Sequence, residues 1–325
     1  MSSSPEKILA VAPMMAWTDT HCRVLHRLFS PHALLFTEMI TTGAILNGSP
    51  ERLLRMHPSE SPVACQIGGN DPAELAKAAQ LVEAAGFKEV NLNVGCPSEA
   101  VRLGRFGACL MVHPKLVSEA VQRMRDRVTI PVTVKCRLGI DQHDSESFLQ
   151  AFVGTVHEGG CQTFYVHARK AILKGLSPAQ NRNIPPLHPQ RVYNLKRHFP
   201  DLTIVLNGGV TDVQTAKAHL DHVDGIMVGR AAYHNPRFVG ELESCIFGTS
   251  PTDELGTFEA YLEYIDAQLM TGTRLFDMSK HLIGMFGGHR GARRYRRLLS
   301  DATRRNSNDA AVVREAVGYI CRTAA

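Results

Sequence analysis

The sequence predicts an α/β fold: a (β/α)8 TIM barrel followed by a small all-α helical bundle. Three observations carry that expectation. Eight short β-rich runs lie between residues 8 and 230, helical patterns separate most of them, and no β-alternation is found from residue 258 onward. Strand then helix, repeated eight times with parallel strands, closes a barrel of ordinary length. A doubly wound open sheet shares the alternation, but eight units favour closure.

In order, the runs are ILAVAP (8–13), LLFTEM (34–39), VACQIGG (63–69), EVNLNVG (89–95), VTVKCR (132–137), TFYVHAR (163–169), TIVLNGG (203–209) and GIMVGR (225–230). They are rich in Val, Ile, Leu and Phe, and several stop at Gly, Pro or a polar residue, as strands do. The clearest helix is DPAELAKAAQLVEAAG (71–86). Asp71 can cap it, Pro72 suits the first turn, Glu74 sits three residues after the cap, and Gly86 ends it. Residues 113–128, 145–160, 188–199 and 211–223 follow the same pattern. GTSPTDELGT (248–257) is expected as a linker. The barrel domain then covers residues 1–247 and the helical domain 258–325.

The 325 residues are 44% hydrophobic and 21% charged. That is ordinary globular usage, which supports a sizeable core and argues against disorder. The start lacks a basic segment leading into a long apolar one, and no run reaches ~18 apolar residues, so neither a signal peptide nor a membrane span is expected. The expected location is the cytoplasm. The eight cysteines (Cys22, Cys65, Cys96, Cys109, Cys136, Cys161, Cys245 and Cys321) are dispersed without a C-x-x-C pair. No disulfide framework and no metal site is expected from them. The net charge of +5 is unevenly placed: residues 280–325 hold ten Lys/Arg against three Asp/Glu, while the rest hold 26 against 28. A polyanion is the expected partner of that tail, although a solvated helical face has the same composition.

Barrel enzymes carry their chemistry at the C-terminal ends of the strands. The polar residues expected there are Gln66, Asn93, Cys96, Lys135, Arg137, His167, Arg169, Asn207 and Arg230. NGGV (207–210) and VGRA (228–231) put Gly208, Gly209 and Gly229 at the ends of the last two strands. There a glycine backbone can approach a phosphate, with Arg230 as a further contact. Gln66, Lys135 and His167 supply the amide, the cation and the switchable donor that suit a flavin ring. The structural alternatives are a buried ion pair of Lys135 with a carboxylate such as Glu38, and a core histidine at position 167. Pro97 cannot extend a ladder, so Cys96 is expected on a loop over the barrel mouth, with Gly95 permitting unusual dihedrals beside it. Thiols stay mostly protonated near neutral pH, so a cysteine so placed can donate a proton. The glycine-punctuated stretch RLGRFGACL (102–110) is expected as a loop that closes over the site.

The motifs VAPMMAWTD, QIGGNDP, VNLNVGCPS, GRFGACLM, VTVKCRLGID, VHARKA, NRNIPPL, LNGGV and MVGRAAYHNP together resemble the tRNA-dihydrouridine synthases, over nearly the whole barrel. KHLIGMFGGHRGARRYRRLLS resembles that family's helical RNA-binding domain. Within the family the likeness is greatest to the 20/20a branch. The resemblance implies an FMN enzyme that reduces the C5–C6 double bond of selected uridines in the tRNA D-loop, with NADPH as reductant. It places cofactor contacts on Pro13, Met14, Met15, Gln66, Lys135, His167, Asn207, Gly208, Gly209, Gly229 and Arg230. It places the proton donor on Cys96 and a substrate asparagine on Asn93. Its tRNA contacts fall on Arg182 and Asn183, in a loop where Ala179 stands at a position expected to be basic, and on Arg293, Arg296 and Arg297. The implied protein is a cytoplasmic monomer whose partner is tRNA, with a catalytic barrel, a tRNA-binding helical domain, no metal and no membrane. A small-molecule flavin reductase would share the barrel but leave the basic tail unexplained. A non-catalytic RNA-binding protein would explain the tail but not Cys96, Lys135 and His167 around one mouth.

Overall fold

The computed structural model describes residues 7–304 and 308–321. Arg305 and Arg322, counted in the basic tail, lie outside the described residues. One compact unit comprises the chain up to Met15 together with Leu34–Gly229, and a second comprises Ala16–Ala33 together with the chain from Arg230 onward.

The first unit is built on β1 (Ile8–Val11), β2 (Leu34–Phe36), β3 (Ile40–Thr41), β4 (Val63–Gly68), β5 (Glu89–Val94), β6 (Val132–Arg137), β7 (Thr163–His167), β8 (Thr203–Asn207) and β9 (Gly225–Val228). Parallel pairing runs β2-β1-β9-β8-β7-β6-β5-β4, and a β2–β4 pairing closes the ring. The eight staves are the eight runs expected from the sequence. β3 is an addition, two residues long, on the edge of β4. The run expected over 34–39 stops as a strand at Phe36 because Thr37 intervenes. Its hydroxyl donates to the Glu38 carbonyl and accepts the Gln66 N–H, taking over what a ladder would supply.

Helices Pro72–Ala84, Pro114–Arg125, Glu146–Glu158, Pro189–His198 and Val213–Leu220 fill the intervals foreseen for them, each a few residues shorter. Asp71 caps the first of these, accepting the N–H groups of Ala73 and Glu74 at 2.8 and 3.0 Å. Glu74 does not return to the cap and instead accepts the Thr42 hydroxyl.

The barrel interior has two halves of different chemistry. Ala10, Ala12 and Ala64 leave room for the rings of Phe36 and Tyr165, which meet edge to face at 5.1 Å. β5 contributes a polar row instead. Its sequence EVNLNV alternates, so Glu89, Asn91 and Asn93 share one face and Val90, Leu92 and Val94 the other. All six are buried.

The second unit is helical. Helix Thr20–Phe29 joins helices Arg230–His234, Arg237–Phe247, Glu254–Met270, Leu275–Ser279, Ala292–Arg304 and Ala311–Cys321. The apolar side chains of Val24, Leu25 and Phe29 are buried. Polar ties fix the same helix: His21 Nδ1 to Tyr264 Oη at 2.6 Å, Ser30 to Glu243, and Lys280 Nζ to Asp19 Oδ2 at 2.7 Å. The linker is shorter than the sequence suggested. Gly248 ends one helix in the left-handed conformation, and Asp253 caps the next, so Glu254–Thr257 are its first turn and not linker.

Candidate active site at the strand ends of the barrel

Cys96 follows β5 in a turn held from both sides. Its N–H donates to Asn93 Oδ1 at 2.9 Å, as does that of Gly95 at 3.1 Å. Its carbonyl accepts the Ala108 N–H at 3.0 Å. The half-buried thiol lies 3.4 Å from the Ser98 hydroxyl. Gly95 is not in the left-handed region, contrary to the sequence expectation. A Cβ there would sit 3.4 Å from the Lys135 carbonyl, an ordinary contact, so neither the backbone angle nor the space at 95 demands glycine. The stretch 102–110 is not an open loop. It carries the end of helix Glu99–Leu103 and a tight turn from Gly107, where φ is +63° and a Cβ would strike Val101 and the Cys96 carbonyl.

Across the mouth, Lys135 Nζ donates to Asn207 Oδ1 at 2.9 Å, and Asn207 Nδ2 donates to the Met227 carbonyl at 2.8 Å. Asn207, and not Glu38, is thus the hydrogen-bond partner of Lys135. Burial, and then the charge of Arg137, pull the Lys135 ammonium down to about 8. The strand ends beside it turn on glycines. Gly208 and Gly209 have φ of +104° and +79°, and a Cβ on either would strike His167 or Leu187. Gly229 has an ordinary φ, and a Cβ would meet only Met14 Sδ at 3.6 Å and Ala12 Cβ at 3.7 Å. Pro13 and Met14 are partly buried, while Met15 is 62% exposed. Arg230, the next residue after Gly229, is exposed and opens the second unit.

Gln66 is buried, with both ends of its amide engaged by asparagines of β5: Nε2 donates to Asn91 and Oε1 accepts from Asn93. Asn93 therefore holds the Cys96 turn first. Its amide nitrogen uses one of its two hydrogens on Gln66.

Arg137 has a structural task that the sequence did not reveal. Its buried guanidinium donates through Nε to the Gly95 carbonyl at 2.8 Å, and through Nη1 to the carbonyls of Lys170 and Asn181, each at 3.1 Å. One side chain thereby ties the Cys96 turn to the loop after β7. Asn181 folds that loop back on itself, donating to the carbonyls of Ile172, Leu176 and Ser177 and accepting the Ile172 N–H. Arg182 and Asn183 follow directly and are exposed.

In the second unit, Arg293, Arg296 and Arg297 are exposed on helix Ala292–Arg304, whose Tyr295 and Leu299 are buried. A cleft of about 680 Å³ is lined by Arg293, Arg294, Arg297, Leu298, Asp301 and Tyr319. Arg294 lies over the Tyr319 ring at 3.9 Å, and Arg297 Nε is 3.8 Å from the Asp301 carboxylate.

Residues 10–318 match the dihydrouridine synthase family model. The chain belongs to the dihydrouridine synthase family. Among relatives of this dihydrouridine synthase family member, the tRNA-dihydrouridine(20/20a) synthase of Salmonella typhi is 50% identical over 98% of this chain and 97% of that one. The protein of the same name from Escherichia coli strain K12 is also 50% identical, over 98% of this chain and 95% of that one. Among solved structures, a 2-naphthoyl-CoA reductase complex shares the fold with a TM-score of 0.56 at 10% identity, covering 74% of this chain and half of that one. Among the described residues of the dihydrouridine synthase chain, no helix is long and apolar enough to cross a membrane.

Proposed function

We propose that this protein is a flavin-dependent tRNA-dihydrouridine synthase that reduces the C5–C6 double bond of D-loop uridines. The observation that carries the proposal is family membership over residues 10–318, at 50% identity to named synthases across almost the full chain. The strand ends fit a flavin mononucleotide. Gly208, Gly209 and Gly229 put residues without side chains at the ends of β8 and β9, where a phosphate would approach the backbone, Met14 Sδ lies 3.6 Å from where a Cβ of Gly229 would sit, and Lys135 offers a cation paired with no carboxylate among the described residues. When bound, that cofactor supplies hydride, replenished from NADPH.

The chain supplies the rest. A uridine must leave its stack to reach the barrel mouth, at a cost of a few kcal/mol. The remaining Asn93 N–H and the exposed Arg182 and Asn183 orient it. Hydride addition at C6 leaves negative charge on C5 and O4, and the Cys96 thiol delivers the proton to C5. Lys135 stabilises negative charge on its side of the mouth. Arg293, Arg296 and Arg297 take backbone phosphates, so affinity for tRNA falls steeply with salt.

The test is anaerobic. Protein reduced with NADPH is mixed with unmodified tRNA transcript or with free uridine while flavin absorbance is followed. Reoxidation by tRNA and not by uridine is expected. Cys96→Ala should retain flavin and NADPH oxidation and stall on tRNA. Failure of tRNA to reoxidise yellow protein overturns the function, and normal turnover by Cys96→Ala overturns the acid role.

A further inference from the structure

A hydrogen-bonded chain runs the length of β5 inside the barrel. The N–H groups of Gly95 and Cys96 donate to Asn93 Oδ1. Asn93 Nδ2 donates to Gln66 Oε1 at 2.7 Å, and Gln66 Nε2 donates to Asn91 Oδ1 at 2.8 Å. Asn91 Nδ2 donates to Thr133 Oγ1 at 2.8 Å, and Thr133 donates to Glu89 Oε1 at 2.6 Å. The Tyr165 hydroxyl donates to the other Glu89 oxygen at 3.2 Å. From Asn93 down to Glu89, every bond runs in one direction.

The Asn93 end fixes that direction, and the ionised Glu89 carboxylate at the other end agrees with it. Backbone N–H groups only donate, so Asn93 must turn its oxygen to the turn and its nitrogen to Gln66. Glu89 Oε1 accepts, so the Thr133 hydrogen is spent there and Asn91 must offer its nitrogen to Thr133. Gln66 has one orientation that satisfies both asparagines. Reversing any amide sets nitrogen against nitrogen or oxygen against oxygen in a buried site, where an unmade bond costs its full desolvation. Were Glu89 protonated on Oε1, Thr133 would accept from it, and the two backbone N–H groups at Asn93 would still fix the orientation of Gln66 and Asn91.

We propose that Glu89 and Thr133, at the N-terminal ends of β5 and β6, are positioning residues for Cys96, acting through Asn91, Gln66 and Asn93. They anchor the far end of the chain, so that Gln66 is held against the Asn93 amide and the oriented amide is kept in place under the turn that carries the thiol. This rests on the proposed role of Cys96 for its consequence in catalysis, but its test does not.

The test is the rate at which iodoacetamide alkylates Cys96 in the full-length protein, read by peptide mass spectrometry with Cys109 as internal reference. Thr133→Val keeps the shape and removes the hydroxyl. It is expected to change the Cys96 rate by about fivefold, the effect of one broken hydrogen bond, and to leave Cys109 unmoved. Thr133→Ser should restore the parent rate. Tyr165→Phe removes a bond to Glu89 outside the chain and should keep it. Glu89→Met removes the acceptor at the same end, and its expected change matches that of Thr133→Val, for which it substitutes should that variant not fold. Equal rates with and without the hydroxyl overturn the proposal, as does a change that serine fails to reverse. If alkylation follows the expected pattern while no variant and no parent protein acts on tRNA, the proposed function fails and the positioning chain stands.

Discussion

Replacing Arg137 with methionine separates two opposing effects of known size. The guanidinium makes three bonds to carbonyls, from Gly95, Lys170 and Asn181. Bonds from a charged donor contribute about 1.5–3 kcal/mol each, or roughly 5 kcal/mol for three at the low end. Against this, the charge is buried and no salt bridge to a carboxylate is formed among the described residues. Burial pulls the Arg137 pKa from 12.5 to about 10, a cost of about 3 kcal/mol. Arg137→Met removes both terms, so global stability should fall by only about 1–2 kcal/mol. The local effect is larger, because the two loops lose their shared tie. Amides after β5 (95–98) and in the loop after β7 (170–182) should exchange hydrogen about tenfold faster, the equivalent of about 1.4 kcal/mol. Amides of helix Pro72–Ala84 should not change. Denaturant unfolding and hydrogen-exchange mass spectrometry measure the two quantities. Unchanged exchange in both loops would refute the reasoning, as would a global loss above ~4 kcal/mol, since the charge cost would then have been overstated.

Two further outcomes follow from the same geometry. Burial pushes the Glu89 carboxyl from 4.5 up to about 7, beside the titratable Tyr165 and Cys161. The folded state thus holds that proton more tightly than the unfolded chain, and stability should decline as pH rises from about 4.5 to about 7, by up to about 3 kcal/mol; Glu89→Gln should flatten that slope in thermal melts, and an identical slope in the variant would remove Glu89 as its source. Gly208→Ala forces alanine to a φ of +104° with its Cβ 2.7 Å from His167, so it should lose about 1–3 kcal/mol, whereas Gly229→Ala, with ordinary contacts, should melt like the parent protein. Equal melting temperatures for the two variants would show that the left-handed backbone at 208 is not fixed.

The barrel was legible because each strand announced itself: eight β-rich runs became the eight staves, and Asp71 capped where its spacing said it would. Glycines 208 and 209 were legible because no other residue takes those dihedrals without strain. The polar row on β5 was written in the alternation of Glu89, Asn91 and Asn93, but alternation gives a face and not a partner. That Gln66 would spend its amide on two asparagines depends on the register of β4 against β5, Gln66 opposite Asn91, which a local pattern does not encode. Arg137 was hidden for a related reason. Its partners are carbonyls at positions 95, 170 and 181, and a carbonyl belongs to every residue alike. The membership of Ala16–Ala33 in the helical unit was equally invisible, since contacts across more than 200 positions leave no local trace.

That discontinuity has a consequence during synthesis. Helix Thr20–Phe29 leaves the ribosome early, and its partners leave late: Glu243 is 213 positions beyond Ser30, Tyr264 is 243 beyond His21, and Lys280 is 261 beyond Asp19. At the usual pace of translation the nascent helix waits ~10–50 s before these late partners emerge. The vulnerable species in the cell is therefore the half-made chain, and its hazard sits near the N-terminus although the missing residues are at the other end. A stop codon ahead of position 243 leaves that helix without its partners for the life of the polypeptide. Shortening the gene from its 3′ end is accordingly a route to aggregation or chaperone capture, and not to a smaller enzyme.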